Sequence, residues 1–350
     1  MPVATRGAIR ALALADIYAM GFDIILSNTY HLYIRPGCEV ISEAGGLHRF
    51  MNFNRPILTD SGGFQVYSLS NLRKIHDDGI EFRSHIDGSP HYFSPEKVLD
   101  IQRVIGSDIM MVLDECTGYP AERKEADIAV RRTVSWASRS FRHWKDSFDG
   151  SGQALFAIIQ GGTWPDLRQK CARDLVAMDF PGFAIGGLSV GEPKGLYREI
   201  TESTVTHLPD EKPKYMMGVG SPMEILYAVQ CGIDMFDCVM PTRIARNGSL
   251  YTSQGRINIK ASRFRHDYGP LDGSCDCYVC TTFTRAYLHH LYRVGEIASL
   301  MYNTYHNLYF MKRFMADIQK SIIEGAFSRL YRQWDAVYGG DPGGNLKEGS

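Results

Sequence analysis

Residues 232–248 read GIDMFDCVMPTRIARNG. The run Gly232-Ile-Asp-Met-Phe236 closes on two large apolar side chains, and Asp237 follows at once, with Arg243 and Arg246 a few positions beyond. A short apolar run ending in a carboxylate reads as a buried strand that carries an acid to its C-terminal end. The carboxylate can attack an electrophilic carbon while guanidinium groups hold phosphates. An isolated Asp in such a place is more often a helix cap beside a solvated basic loop. Recurrence of the pattern elsewhere in the chain separates the two readings.

Seven further runs of the same kind precede it: Met1–Thr5, Phe22–Ser27, Pro56–Thr59, Asp108–Leu113, Leu155–Ile159, Gly182–Gly186 and Lys214–Gly218. They are near-continuously apolar, as strands of a sheet covered on both faces are. Amphipathic stretches lie between them. Ser94–Ile105 opens with an N-cap Ser and Pro at the first helical position, Ser221–Gln230 repeats that start, and Pro165–Met178 is similar. Eight β-then-α units are the count of an α/β fold of the (β/α)8 TIM-barrel type. A doubly wound open sheet would show a Gly-rich phosphate turn after its first strand, and none is present.

A barrel gathers its strand C-termini at one mouth. Asn28, Asp60-Ser61-Gly62-Gly63, Asp114-Glu115-Cys116, Gln160-Gly161-Gly162, Gly186-Gly187-Leu188 and Asp237 all follow such runs. Several of the glycines are plain turn formers. The three aspartates are not, and their placement argues for a catalytic mouth. No strand end carries the paired histidines of a catalytic zinc site, which disfavours a metal-dependent hydrolase.

The chain has 350 residues and a formal net charge of −1, so affinity for a polyanion must come from a local patch. Six basic residues, Arg243, Arg246, Arg256, Lys260, Arg263 and Arg265, fall in a stretch without Asp or Glu, with Tyr251 and Phe264 between them. This reads as a phosphate-tracking surface, against the plainer reading of a solvated face. Three of the eight cysteines crowd into Cys275-Asp-Cys277-Tyr-Val-Cys280. A tetrahedral zinc site needs a fourth ligand, with His306 the first candidate and His289 and His290 its rivals. A closed Cys3His set makes that Zn2+ structural. No run reaches membrane-spanning length and no cleavable leader opens the chain, so a cytoplasmic protein with reduced thiols is expected. The expected organisation is a barrel core over 1–248, then the basic stretch, the zinc subdomain and closing helices over 249–338. Met311–Tyr338 reads as one helix, and a disordered tail is expected over 339–350.

These motifs resemble the bacterial tRNA-guanine transglycosylases, a barrel family with a zinc-bearing insert. The matching stretches are Asn28–Leu32, Thr59–Gln65, Asp114–Thr117, Gln160-Gly161, Gly186–Glu192, Met217–Gly220, Asp234–Arg243 and the CxCxxC with its distant histidine. The resemblance implies exchange of the wobble guanine of GUN-anticodon tRNAs for 7-aminomethyl-7-deazaguanine (preQ1), in queuosine biosynthesis, with a covalent Asp–ribose intermediate. Asp237 matches the nucleophile and Asp60 the general acid/base. Ser61, Asp114, Gln160, Gly187 and Leu188 match the base-reading set, and Phe64 and Met217 its sandwich. Cys116 and Val190 match the preQ1-using rather than the queuine-using pocket. Leu188 and Glu192 match the stretch that meets the aminomethyl group. Arg243 and Arg246 match anticodon-loop contacts, and a homodimer is implied. Relatives carry a few dozen residues before the stretch matching Met1–Thr5, and a lysine where Ser221 stands. The alternative is a non-catalytic RNA-binding subunit on the same scaffold, which would not need both Asp60 and Asp237.

Overall fold

The computed structural model describes residues 1–69, 72–147 and 152–340. Residues 341–350 of the expected tail lie outside that description. Seven parallel strands form one sheet in sequence order: β1 (Ile25–Ser27), β2 (Ile57–Thr59), β3 (Ile109–Met111), β4 (Ala154–Ile159), β5 (Gly182–Ile185), β6 (Lys214–Met216) and β7 (Met235–Phe236). Continuous burial explains why these runs lack alternation. Leu58, Met110, Met111, Leu155, Ile158, Ala184 and Met216 are fully buried, covered by helices outside and by the barrel filling inside.

The eighth expected strand, Met1–Thr5, is not a regular strand. Val3 makes a single parallel bridge to Leu26 of β1. Its neighbour Ala4 donates its amide to Leu26 O at 2.6 Å, and the Met1 ammonium reaches Phe236 O of β7 at 2.7 Å. The segment thus spans the gap between the first and last strands. The fold is an α/β barrel of the TIM type, drawn with seven regular strands.

The helix predictions rest on local chemistry that the structure reproduces. Ser94 Oγ accepts the Lys97 amide at 3.2 Å, capping Pro95–Ile105, and Gly106 ends it in a left-handed conformation. Helices Pro165–Val176 and Pro222–Gln230 also begin on Pro. Ser221 caps differently from Ser94: its hydroxyl donates to Glu224 at 2.6 Å. A three-stranded antiparallel sheet (Arg73–His76, Gly79–Arg83, Pro90–Phe93) interrupts the alternation after β2. Its first turn pairs His76 with Gly79 around the two-residue loop Asp77-Asp78.

Met311–Tyr338 is not one helix. A helix over Ile297–Ile323 stops, Gly325 turns at φ +66°, and a second helix runs Phe327–Tyr338. Phe310, Phe314, Trp334 and Tyr338 of this pair pack into the barrel's own core. A separate apolar cluster, including Leu250, Phe264, Leu271, Val279 and Leu288, lies under the cysteines. No helix among the described residues is long and apolar enough to cross a membrane.

Candidate active site

A cavity of about 280 Å3 opens where the strand C-termini converge. Asp60, Ser61, Phe64, Asp114, Cys116, Gln160, Gly187, Leu188, Met217 and Asp237 all line it. Residues up to 177 positions apart (237 − 60) thus share one space, because each follows a strand of the same parallel barrel.

Asp237 leaves β7 in a defined orientation. Tyr215 OH donates to its Oδ1 at 2.5 Å and the Gly218 amide donates to the same oxygen at 2.8 Å. Among the described residues Oδ2 receives no hydrogen bond. One oxygen is anchored and the other is available, as a nucleophilic carboxylate requires. Burial, with the adjoining Asp237 charge, pushes the Tyr215 phenol far above its ordinary range, so it stays a donor.

Asp60 sits deeper. Asn28 Nδ2 donates to one oxygen at 2.5 Å and the Thr29 amide to the other at 2.9 Å. Burial raises its carboxyl to about 6, with the negative Asp237 adding to the rise and the Asn28 and Thr29 hydrogen bonds opposing it. A carboxyl near 6 exchanges protons readily at neutral pH. A folded-state value above the ordinary Asp value means that the folded protein holds this proton more tightly. Its contribution to stability is therefore present at low pH and lost as pH rises from about 4 through about 6. Guanine release that draws its proton from the Asp60 carboxyl should show an alkaline limb near pH 6. In Asn28→Ala, which removes a bond to the charged form, that limb should move to higher pH, as a pH–rate profile will measure.

Asp114 accepts Ser61 Oγ at 3.0 Å and Gln160 Nε2 at 2.7 Å, and burial raises its carboxyl. Gly63 allows this packing: a Cβ there would sit 2.8 Å from Asp114 O. Gln160 Oε1 is buried without a partner among the described residues. A buried orphan acceptor beside a cavity fits a ligand that brings donors. Phe64 is 49% exposed and Met217 half-buried, so both bring apolar surface to the cavity they line. Burial pushes the Cys116 thiol up to about 12, which makes it an inert wall. Glu192 accepts the amides of Ser189 and Val190 and so shapes the loop after β5.

Two contributors, Tyr215 and Arg168, escaped the sequence reading, and the role of a third, Asn28, was not legible in it. Tyr215 lies inside an apolar run, where an inward phenol resembles core. Arg168 lies on a helix, where a basic residue resembles surface, yet it is fully buried. Asn28 marks a strand end, but its role in holding Asp60 shows only in three dimensions.

Arg243 and Arg246 do not line the cavity. They stand on helix Met240–Arg246, which leads directly from Asp237 and Cys238. Arg243 is exposed, and Arg246 is half-buried with one guanidinium nitrogen lacking a partner among the described residues. Burial lowers the Arg246 pKa, and the positive Arg10 and Arg243 lower it further, which marks a cluster of cations beside the mouth. Lys260, Arg263 and Arg265 are exposed and Arg256 half-buried. Tyr251 and Phe264, expected between these cations as stacking partners, are instead buried core residues at 1% and 4% exposure. Their rings serve the interior, with the Arg263 guanidinium lying over the Phe264 ring at 4.8 Å.

Cys275, Cys277, Cys280 and His306 place their ligand atoms within 4.8 Å of one another. His306 Nδ1 lies 3.3, 3.6 and 4.0 Å from the three sulfurs in the order Cys280, Cys277, Cys275. Tetrahedral zinc with bonds of about 2.1–2.3 Å needs separations of this size. His306 Nε2 donates to Tyr251 O at 2.7 Å, which fixes the tautomer and leaves Nδ1 as ligand. His289 and His290 are not among the side chains gathered with the three sulfurs; His289 Nδ1 is engaged with Ile259 O at 2.6 Å, and His290 is exposed. The donor set is that of a closed structural zinc site.

The family model of queuine tRNA-ribosyltransferase matches residues 1–339. The queuine tRNA-ribosyltransferase of Thermoanaerobacter pseudethanolicus is 51% identical over 339 residues, covering 97% of this chain and 90% of that protein. That of Caldanaerobacter subterraneus subsp. tengcongensis is 54% identical over 322 residues, covering 92% and 85%. That of Thermodesulfovibrio yellowstonii is 53% identical over 334 residues, covering 95% and 87%. The chain belongs to the queuine tRNA-ribosyltransferase family, the tRNA-guanine transglycosylases.

Proposed function

We propose that this chain exchanges the wobble guanine of GUN-anticodon tRNAs for preQ1, with Asp237 as nucleophile and Asp60 as general acid/base. The observation that carries this reading is the meeting of Asp60, Asp114 and Asp237 on one base-sized cavity. The target nucleotide leaves its stack and enters between Phe64 and Met217. Asp114 accepts the N1–H and 2-amino hydrogens of guanine, a pair of donors that adenine does not offer. Asp237 Oδ2 forms a bond to ribose C1′ as the C1′–N9 bond breaks, through an oxocarbenium-like state. The departing base takes the N9 electron pair and collects a proton from Asp60. The incoming preQ1 gives its N9 proton to Asp60, its N9 attacks C1′, and the Asp237 carboxylate leaves. The phosphodiester backbone stays intact throughout. Arg243, Arg246 and the exposed cations after them hold the anticodon loop.

Incubation of tRNA with labelled guanine tests the reading. Incorporation that stops when preQ1 has filled the site supports it. An RNA-binding subunit alone would bind tRNA and leave the label free. Queuine incorporated in preference to preQ1 would overturn the substrate assignment.

A homodimer fits the same reading. Tyr278, Phe283, Tyr287 and Tyr302 pack ring to ring beside the zinc site, with Tyr278 and Tyr287 exposed. An exposed aromatic cluster of this kind suits burial against a second copy. Tyr287→Glu should shift sedimentation toward the monomer, while an unchanged dimer would remove this face from consideration.

A further inference from the structure

Arg168 is fully buried, and all its hydrogen bonds go to main-chain carbonyls: Gly162 at 2.7 Å, Gly186 at 2.9 Å, Gly187 at 3.4 Å and Ile159 at 3.5 Å. Among the described residues no carboxylate pairs with it. A guanidinium taken out of water without a counter-charge is costly to fold around. Burial draws its pKa down to about 10, which still leaves it charged at neutral pH. The arginine therefore acts as a fixed cation behind the ends of β4 and β5.

Its carbonyl partners decide what faces the cavity. A trans peptide carries its C=O and N–H on opposite sides. With the carbonyls of Gly186 and Gly187 drawn toward Arg168, the amides of Gly187 and Leu188 turn the other way, toward the cavity those residues line. Among the described residues neither amide has an acceptor. Gly187 makes the bend possible at φ +66°, and a Cβ there would come within 2.5 Å of Gln160 Oε1. Adjacent amides aimed into one concavity form a receptor for an oxygen bearing negative charge.

We propose that Arg168 is a positioning residue for the base exchange: it orients the Gly187 and Leu188 amides onto the 6-oxo group of the purine. This rests on the cavity being the base site. When the C1′–N9 bond breaks, its electron pair enters the purine, and delocalisation carries part of that charge to the 6-oxo oxygen. Preorganised donors, backed by a cation that needs no rearrangement, stabilise that charge more than they stabilise the neutral base. Arg168 touches neither base nor ribose. It acts through two peptide groups.

The test uses Arg168→Lys and Arg168→Met in full-length protein with tRNA, and compares guanine with 6-thioguanine as competing bases. 6-Thioguanine keeps the N1–H and 2-amino donors and replaces the oxygen by a weakly accepting sulfur. The parent protein should prefer guanine. In Arg168→Met, kcat for guanine exchange should fall about 10²-fold, and the preference for guanine over 6-thioguanine should fall at least about tenfold. Arg168→Lys, which keeps the charge but reaches fewer carbonyls, should fall between parent and Met. Equal losses for both bases, tracking a lowered melting temperature, would reduce Arg168 to a structural role and overturn the proposal. So would a guanine preference unchanged in a folded variant. A parent protein that exchanges no guanine would instead sink the base-exchange reading itself.

Discussion

Asp237→Asn loses base exchange by a factor on the order of 10⁴, and no covalent RNA–protein adduct forms, while the melting temperature stays close to that of the parent. The amide is isosteric, and its oxygen can still accept from Tyr215 OH and the Gly218 amide, the two donors that orient this side chain. Only the nucleophilicity of the free oxygen is removed. Binding to tRNA should survive, because Arg243 and the exposed cations beyond it are untouched. Denaturing electrophoresis of enzyme with labelled tRNA, followed by mapping of the attachment site, provides the check. An adduct that persists in Asp237→Asn, or that maps to Asp60, would reverse the assigned roles.

Cys280→Ala loses the bound zinc and destabilises the protein by several kcal/mol, because metal affinity at a structural site is folding energy. Activity should fall with it by about 10²-fold in whatever protein remains folded, although no zinc ligand lines the base cavity. The connection runs through helix Ile297–Ile323. His306 ties that helix to the cysteines, and next to it Asn307 donates to Pro241 O at 2.9 Å and to Ser249 O at 3.2 Å. Pro241 belongs to the helix that follows Asp237. Asn307 Oδ1 also accepts the Tyr251 amide at 3.0 Å. Loosening this staple displaces Asp237 and the Arg243–Arg246 helix together. Zinc content by mass spectrometry, chemical denaturation and the exchange rate should change in concert. Normal exchange in zinc-free protein would show the two regions to be uncoupled.

The nearby helices show what local chemistry can and cannot announce. Ser94-Pro95 and Ser221-Pro222 look alike in the sequence, and both start helices. Ser94 caps its backbone, whereas Ser221 turns to Glu224, a choice made by the rotamer and its surroundings. The predicted single helix over Met311–Tyr338 failed at Gly325, whose left-handed backbone turns the chain so that Trp334 can pack against Phe310 and Phe314.

The sequence by itself determined the barrel, because parallel strands covered on both faces must be continuously apolar and must alternate with helices. It also determined that Asp60, Asp114 and Asp237 meet, since strand C-termini share one rim whatever their separation along the chain. The three thiolates announced a metal by their spacing alone. Only the tertiary structure chose His306 over His289, because that choice depends on which imidazole the packing of distant helices brings to the three sulfurs. It alone buried Tyr251 and Phe264 and brought Tyr215 to Asp237. It also placed Arg168 behind the Gly186 and Gly187 carbonyls. A side chain's partners and its access to water are set by elements far away in the chain, and no local pattern of residues encodes them.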